Sequence, residues 1–137
     1  MNPKTFLLVG GVVLVLVGVL GFAGVIGPTA EESIFNKVGL NWWFDGPENW
    51  AHLVLGVVAL LAAFALPSGG QRPLVMLLGI VGVLVAVWNL YSTNLFGANL
   101  ENPADLILHL AVGVWALASS WKKPMPATMG GGMPGGM

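Results

Sequence analysis

Four long apolar runs, separated by short polar stretches, dominate the chain. The first extends from Thr5 to Gly27, the second from Trp50 to Leu66, the third from Pro73 to Tyr91 and the fourth from Leu106 to Trp121. A hydrocarbon core about 30 Å thick needs roughly 20 helical residues, and runs of roughly 17 still cross it. Within hydrocarbon every backbone N–H and C=O needs a partner inside its own segment, so runs of this length form helices. The alternation of a barrel strand is missing. The pattern therefore predicts an all-α integral membrane protein with four transmembrane helices.

Local chemistry moves two of the starts. Gly46-Pro47-Glu48 and Asn102-Pro103-Ala104-Asp105 each place a capping residue type before a proline, with an acid in the first turn. Proline at the first helical position and an acid near the positive end of the helix dipole both favour initiation there. The spans become about 5–27, 48–66, 73–91 and 104–121. They form one transmembrane domain over residues 1–123, followed by a Met/Gly/Pro-rich tail over 124–137. The first run is longer than the apolar core of a signal peptide and no A-x-A site follows, so it counts as a span.

Composition agrees. Charged residues make up 8% and hydrophobic residues 56% of 137 residues, which leaves too little polar surface for a water-soluble domain. Five Lys/Arg against six Asp/Glu give no basic patch, which excludes a nucleic-acid binder. Cysteine is absent, so thiol catalysis, disulfides and Cys-ligated metals are excluded as well. Lys4, Arg72, Lys122 and Lys123 fall on one side of the predicted spans, and Glu31, Glu32, Asp45, Glu48, Glu101 and Asp105 on the other. Cytoplasmic loops carry the excess Lys/Arg, so the expectation is a multi-pass inner-membrane protein with both termini cytoplasmic; Lys37 is the exception. Trp42, Trp43, Trp50 and Trp88 would line the outer interface and Trp121 the inner one, while Trp115 lies deep in the fourth span.

An internal repeat carries the strongest motif. Residues 52–60 and 109–117 share H-L-x-x-G-V-x-A-L, and an acid stands four residues before each histidine: Glu48 before His52, Asp105 before His109. Leu8-Val9-Gly10 matches Leu77-Leu78-Gly79 loosely. The chain thus reads as two parallel helical-hairpin repeats related by a pseudo-twofold axis along the membrane normal, with both histidines at one depth. Each carboxylate would lie one turn above its histidine, within reach at i,i+4. Small residues (Gly10, Gly11, Gly18 and Gly21; Gly56, Ala59 and Ala63; Gly79, Gly82 and Ala86) predict close helix contacts.

The Gly-rich first span, Asn49-Trp50-Ala51-His52-Leu53 and the N-P-A-D-x-x-x-H-L-x-x-G-V element from Asn102 to Val114 resemble the DUF4383 family of small four-helix bacterial membrane proteins. The resemblance covers about residues 5–121. It implies the four-helix fold and no particular activity.

His52 and His109 are the candidate binding residues. In one reading they ligate a tetrapyrrole, chlorophyll or haem, with Glu48 and Asp105 each receiving the other ring N–H and fixing the tautomer. In the other, each histidine pins the outer end of the bundle through a bond to its own carboxylate or a loop carbonyl, and no cofactor is held. Two His and two carboxylates suit zinc, but four ligands would have to converge from parallel helices. Transport needs ionisable groups at mid-depth, and the nearest polar group is Asn89 toward the outer end. No nucleophile–base pair or H-E-x-x-H motif supports catalysis.

The outer loop from Pro28 to Asp45 is apolar enough to lie on the membrane, cap the bundle or dock a neighbour. A short helix is expected around Glu31–Val38, capped by Thr29 with Glu32 closing the box. In the tail, Met125, Met129, Met133 and Met137 recur every four residues; thioethers suit Cu(I), but Gly/Pro-rich sequence cannot build a core and reads as a flexible tail. The preferred expectation is a non-catalytic accessory subunit of a larger membrane assembly, with the lipid bilayer and other membrane subunits as partners. A tetrapyrrole-binding subunit of a photosynthetic or electron-transfer complex is the alternative, and a small transporter the third reading.

Overall fold

A computed structural model of the chain describes residues 1–121; Lys122, Lys123 and the Met-rich tail lie outside the described residues. The elements are α1 (Pro3–Phe22), α2 (Ile34–Lys37), α3 (Gly46–Ala65), α4 (Ser68–Asn89), β1 (Asn94–Leu95), β2 (Ala98–Asn99) and α5 (Ala104–Trp121). Of these, α1, α3, α4 and α5 are long and apolar enough to cross a membrane.

Local chemistry sets the ends. Asn2 caps α1, its side chain accepting from the Thr5 N–H at 2.9 Å. The helix stops at Phe22, short of the expected Gly27, because Gly24 turns left-handed at φ +73°. The Gly24 N–H then reaches the Gly21 carbonyl and the Val25 N–H the Leu20 carbonyl, which closes the helix end with two otherwise orphaned acceptors satisfied. At the start of α3, Asp45 accepts from the Glu48 N–H at 2.9 Å while Glu48 accepts from the Asp45 N–H at 3.3 Å, a reciprocal capping box. Helix α4 begins at Ser68, earlier than the expected Pro73. The buried Gln71 amide explains this: it donates to the Ala63 and Leu66 carbonyls at 3.1 and 2.9 Å, so the α3–α4 corner needs no loop of its own. The interfacial helix is also shorter than expected and is capped by Ser33. Thr29 instead donates its hydroxyl to Glu32.

The helices pair as two antiparallel hairpins, α1 with α3 and α4 with α5. A Cβ added to Gly11 would strike Leu60, and one added to Gly18 would strike Leu53, so α3 runs opposite to α1. Glycines face each other at the centre of the contact. A Cβ on Gly56 would lie 2.7 Å from the Val15 N and 2.9 Å from the Gly11 carbonyl oxygen. The second hairpin has the same contacts: a Cβ on Gly113 would lie 2.8 Å from the Val83 N and 3.0 Å from the Gly79 carbonyl oxygen. Gly79 therefore stands where Gly11 does, one residue on from the loose match with Gly10. Leu7 and Val75 are both 0% exposed at corresponding places, and Ala59 and Ala116 are both buried.

The two hairpins meet over an apolar core of Phe6, Leu7, Ala59, Ala63, Val75 and Ala116. Trp115 packs edge-on against Phe6 at 4.6 Å, which accounts for its depth in the last helix. This core fills the half of the bundle nearest Lys4 and Arg72. At the other end, where the acids gather, polar side chains are buried as well: Glu48, Asn49, Asn89 and Asp105 lie there with Ile26, Phe44 and Leu100.

Gly56→Ala and Gly113→Ala should each lower stability by about 1–3 kcal/mol, because a methyl has nowhere to go without parting two backbones. Gly69→Ala, which faces open space, should be neutral or stabilising by up to about 1 kcal/mol. Thermal unfolding in detergent separates the three.

Candidate functional site at the acidic end

The residues expected to carry chemistry do gather, and they do so at the end of the bundle where two loops interlock. The first loop, 23–45, crosses to the second hairpin. The Trp42 indole N–H donates to Asp105 Oδ1 at 2.8 Å, and the Asn41 amide donates to Glu101 at 3.0 Å. The second loop, 90–103, reaches back. The Asn99 N–H donates to Asp45 Oδ2 at 2.8 Å, so one carboxylate both caps α3 and holds β2. The Asn99 side chain donates to Glu101, and the Glu101 N–H donates to Asp105 Oδ2 at 2.6 Å. Asp105 is 0% exposed, and both its oxygens are satisfied. Ser33 extends the lattice by donating to the Trp42 carbonyl, and Trp42 packs tilted against Phe35 and edge-on against Phe44.

The two histidines lie just beneath this lattice, half-buried. The His52 ring rests against Phe44, centroids 5.0 Å apart. Glu48 and Asp105 are not their side-chain partners. The Nδ1–H of His52 donates to the main-chain carbonyl of Glu48 at 2.8 Å, and that of His109 to the carbonyl of Asp105 at 2.7 Å. The carboxylates are drawn the other way, to the free amides at the helix starts, Asp45 N–H and Glu101 N–H. The expected carboxylate contact is therefore replaced by a backbone one that likewise fixes the tautomer of the ring. A carbonyl only accepts, so the proton sits on Nδ1, and in the neutral ring Nε2 keeps its lone pair. Among the described residues no group of three or more His, Asp or Glu is arranged to hold a metal ion.

A family model described as "domain of unknown function (DUF4383)" matches residues 4–122. The chain belongs to the DUF4383 family. No curated protein and no solved structure matches it.

In this DUF4383 protein, the residues that organise the site include several that a motif search passes over. Trp42, Asn99 and Glu101 act through contacts between loops distant in sequence. Asp45 was accessible, since Asp45-x-x-Glu48 has the spacing of a capping box. Three buried side chains keep polar atoms without a hydrogen bond: Glu48 Oε1, Asn49 Oδ1 and both ends of the Asn89 amide. Asn49 is pressed against Gly21, where any Cβ would collide with it. An apolar cleft of about 200 Å³ opens beside Trp42, lined by Ala104, Ile107, Leu108 and Ala111; neither histidine reaches it.

Trp42→Phe keeps an aromatic ring between Phe35 and Phe44 but removes the indole N–H together with part of the ring. It should cost about 1–3 kcal/mol, because it leaves one oxygen of a fully buried Asp105 unpaired. Chemical denaturation in detergent, compared with Asp105→Asn, reads the loss.

Proposed function

We propose that this DUF4383 protein is a non-catalytic accessory subunit of a larger membrane assembly, seated in the inner membrane with both termini cytoplasmic. One observation carries the reading: the side chains with chemical potential serve the fold. Asp45, Glu101 and Asp105 accept from amides and an indole that join one loop to the other, and both histidines donate to their own helix. Lys4 and Arg72 lie opposite the acids, which supports the orientation by the positive-inside rule. The matched contacts at Gly11/Gly56 and Gly79/Gly113 support a duplicated hairpin with a pseudo-twofold axis along the membrane normal. All four long helices keep broad apolar faces outward, which lipid and neighbouring subunits would share.

In native-gel electrophoresis after gentle detergent extraction, the chain should migrate well above a detergent-bound 14.3 kDa polypeptide. Migration as an isolated chain, unchanged by chemical crosslinking in the membrane, overturns the reading.

A second reading has its own support in the histidine geometry. A backbone acceptor on Nδ1 and an open Nε2 is the arrangement an axial imidazole ligand needs. The cleft beside Trp42 falls below the ~300–1,000 Å³ typical of enclosed ligand pockets, so it would not house a tetrapyrrole. A chlorophyll or haem on His52 or His109 would lie at the protein surface, between this chain and a partner. The native assembly would then show a Soret or chlorophyll absorption band that His52→Leu or His109→Leu removes. If the histidines only pin the helices, both variants lower the melting temperature and leave the spectrum unchanged.

A further inference from the structure

The loop between α4 and α5 is not an irregular connection but a small rigid finger. Asn94 pairs with Asn99 and Leu95 with Ala98, which leaves Phe96 and Gly97 as a two-residue turn. Both are at positive φ, +52° and +94°. Such turns favour Asn-Gly or Gly-Gly, because a bulky side chain is strained in the left-handed region. Phe96 is the one non-glycine at positive φ among the described residues, and it is 99% exposed. Its ring touches almost nothing in the fold, so it returns none of that strain as packing.

The finger is also held stiffly. The Gly97 N–H donates to the Asn94 side chain, the Ser92 hydroxyl donates to the Asn94 carbonyl, and Asp45 anchors Asn99. The Trp88 indole N–H donates to the same Asn94 carbonyl at 2.8 Å. That last contact fixes where the finger stands. Leu77, Val81, Leu84 and Trp88 fall at alternating spacings of four and three along α4, Tyr91 follows just past its end, and all are exposed. They form one outward apolar stripe, ending in Trp88 and the 85%-exposed Tyr91. One strand of the finger is tied to this stripe through Trp88 and the other to α3 through Asp45, and Phe96 stands exposed at the tip.

We propose that the Phe96 finger is a lipid-surface anchor: a rigid hairpin that sets an aromatic ring into the interfacial layer of the leaflet at the acidic end, beside Trp88 and Tyr91. Aromatic rings are favoured at this depth, where the surroundings are part apolar and part wet. The inference rests on the membrane embedding of α4, and it is independent of whether the chain is an accessory subunit.

The chain contains no cysteine, so single nitroxide labels can be introduced cleanly. Phe96→Cys, Leu84→Cys and Glu31→Cys would be labelled and reconstituted in vesicles of phosphatidylcholine with phosphatidylglycerol. Collision of each label with oxygen and with a water-soluble nickel chelate then reports depth. The expected result is Leu84 lipid-like, Glu31 water-like, and Phe96 with an oxygen-to-nickel ratio several-fold above Glu31 and approaching Leu84. A Phe96 ratio equal to that of Glu31, with Leu84 still lipid-like, overturns the anchor alone. Immobilisation of the Phe96 label only in native membranes would assign the finger to a protein partner, and likewise overturns it. A water-like Leu84 would overturn the embedding itself. Phe96→Asn, which suits the turn, should raise the melting temperature in detergent by a few degrees; a fall would mean the ring serves the fold and would also overturn the proposal.

Discussion

Everything in this bundle depends on how closely two helix backbones approach at Gly11–Gly56 and at Gly79–Gly113. In lipid, helices gain nothing from excluding water between them, because the tails are as apolar as leucine. What remains is dispersion, which falls steeply with separation and rewards direct backbone contact. A Cβ at any of these four positions would stand about 3 Å or less from main-chain or side-chain atoms of the facing helix. The contact therefore exists because the side chains are absent. It fixes the register of each hairpin, and that register brings His52 and His109, one turn above Gly56 and Gly113, to the acidic end together.

The two halves of the bundle solve the burial problem differently. Near Lys4 and Arg72 the interior is Phe6, Leu7, Ala63, Val75 and Ala116, with Gln71 turned to cover two helix-end carbonyls. Near the acids the interior mixes Ile26, Phe44 and Leu100 with buried polar side chains, and polar groups without partners cost roughly 1–3 kcal/mol each. For Asp45 and Asp105 the cost is contained by nearby donors, whereas Glu48 Oε1 and the Asn49 and Asn89 amides keep unpartnered atoms. Each long helix starting at this end exposes first-turn N–H groups, and each loop adds side-chain amides. Asp45 and Asp105 each take two such bonds. Holding the loops over the bundle is then a consequence of capping the helices, not a separate device.

Much of this was legible in the residues. Helix number, the Gly56 and Gly113 contacts, and the gathering of the acids follow from apolar run length, spacing and charge placement, all properties of short segments. The differences have separate causes. Helix α1 ends early because Gly24, inside the apolar run, adopts a left-handed turn that run length does not register, whereas α4 starts early because Gln71 bonds across a corner to atoms outside the segment. Nothing in the run lengths or motifs marks the hairpin at Phe96, because Phe-Gly is a poor turn pair. The histidine–carboxylate contact was expected from i,i+4 spacing. Spacing brings both the carbonyl and the carboxylate of residue i−4 into range and does not say which one the ring takes. Here the competing amides at the helix starts decide it.

Matching the two hairpins residue by residue shows where they part. Lys4 stands with Arg72, Leu7 with Val75, Gly11 with Gly79 and Gly18 with Ala86 on one pair of helices. Glu48 stands with Asp105, His52 with His109, Gly56 with Gly113 and Ala63 with Ser120 on the other. The correspondence breaks one turn above the histidines. Gly21 stands with Asn89, and Asn49 with Leu106, so the buried asparagine is on the second helix of one hairpin and on the first helix of the other. Asn49 needs the bare backbone of Gly21 beside it, and Asn89 cannot provide the same space to Leu106. Above this level the loops differ as well, one carrying α2 and Trp42, the other the Phe96 finger. Two hairpins that match through their packing and depart at one end differ in their chemistry at that end. The acidic cap, and not the glycine seam, is what distinguishes one hairpin from the other.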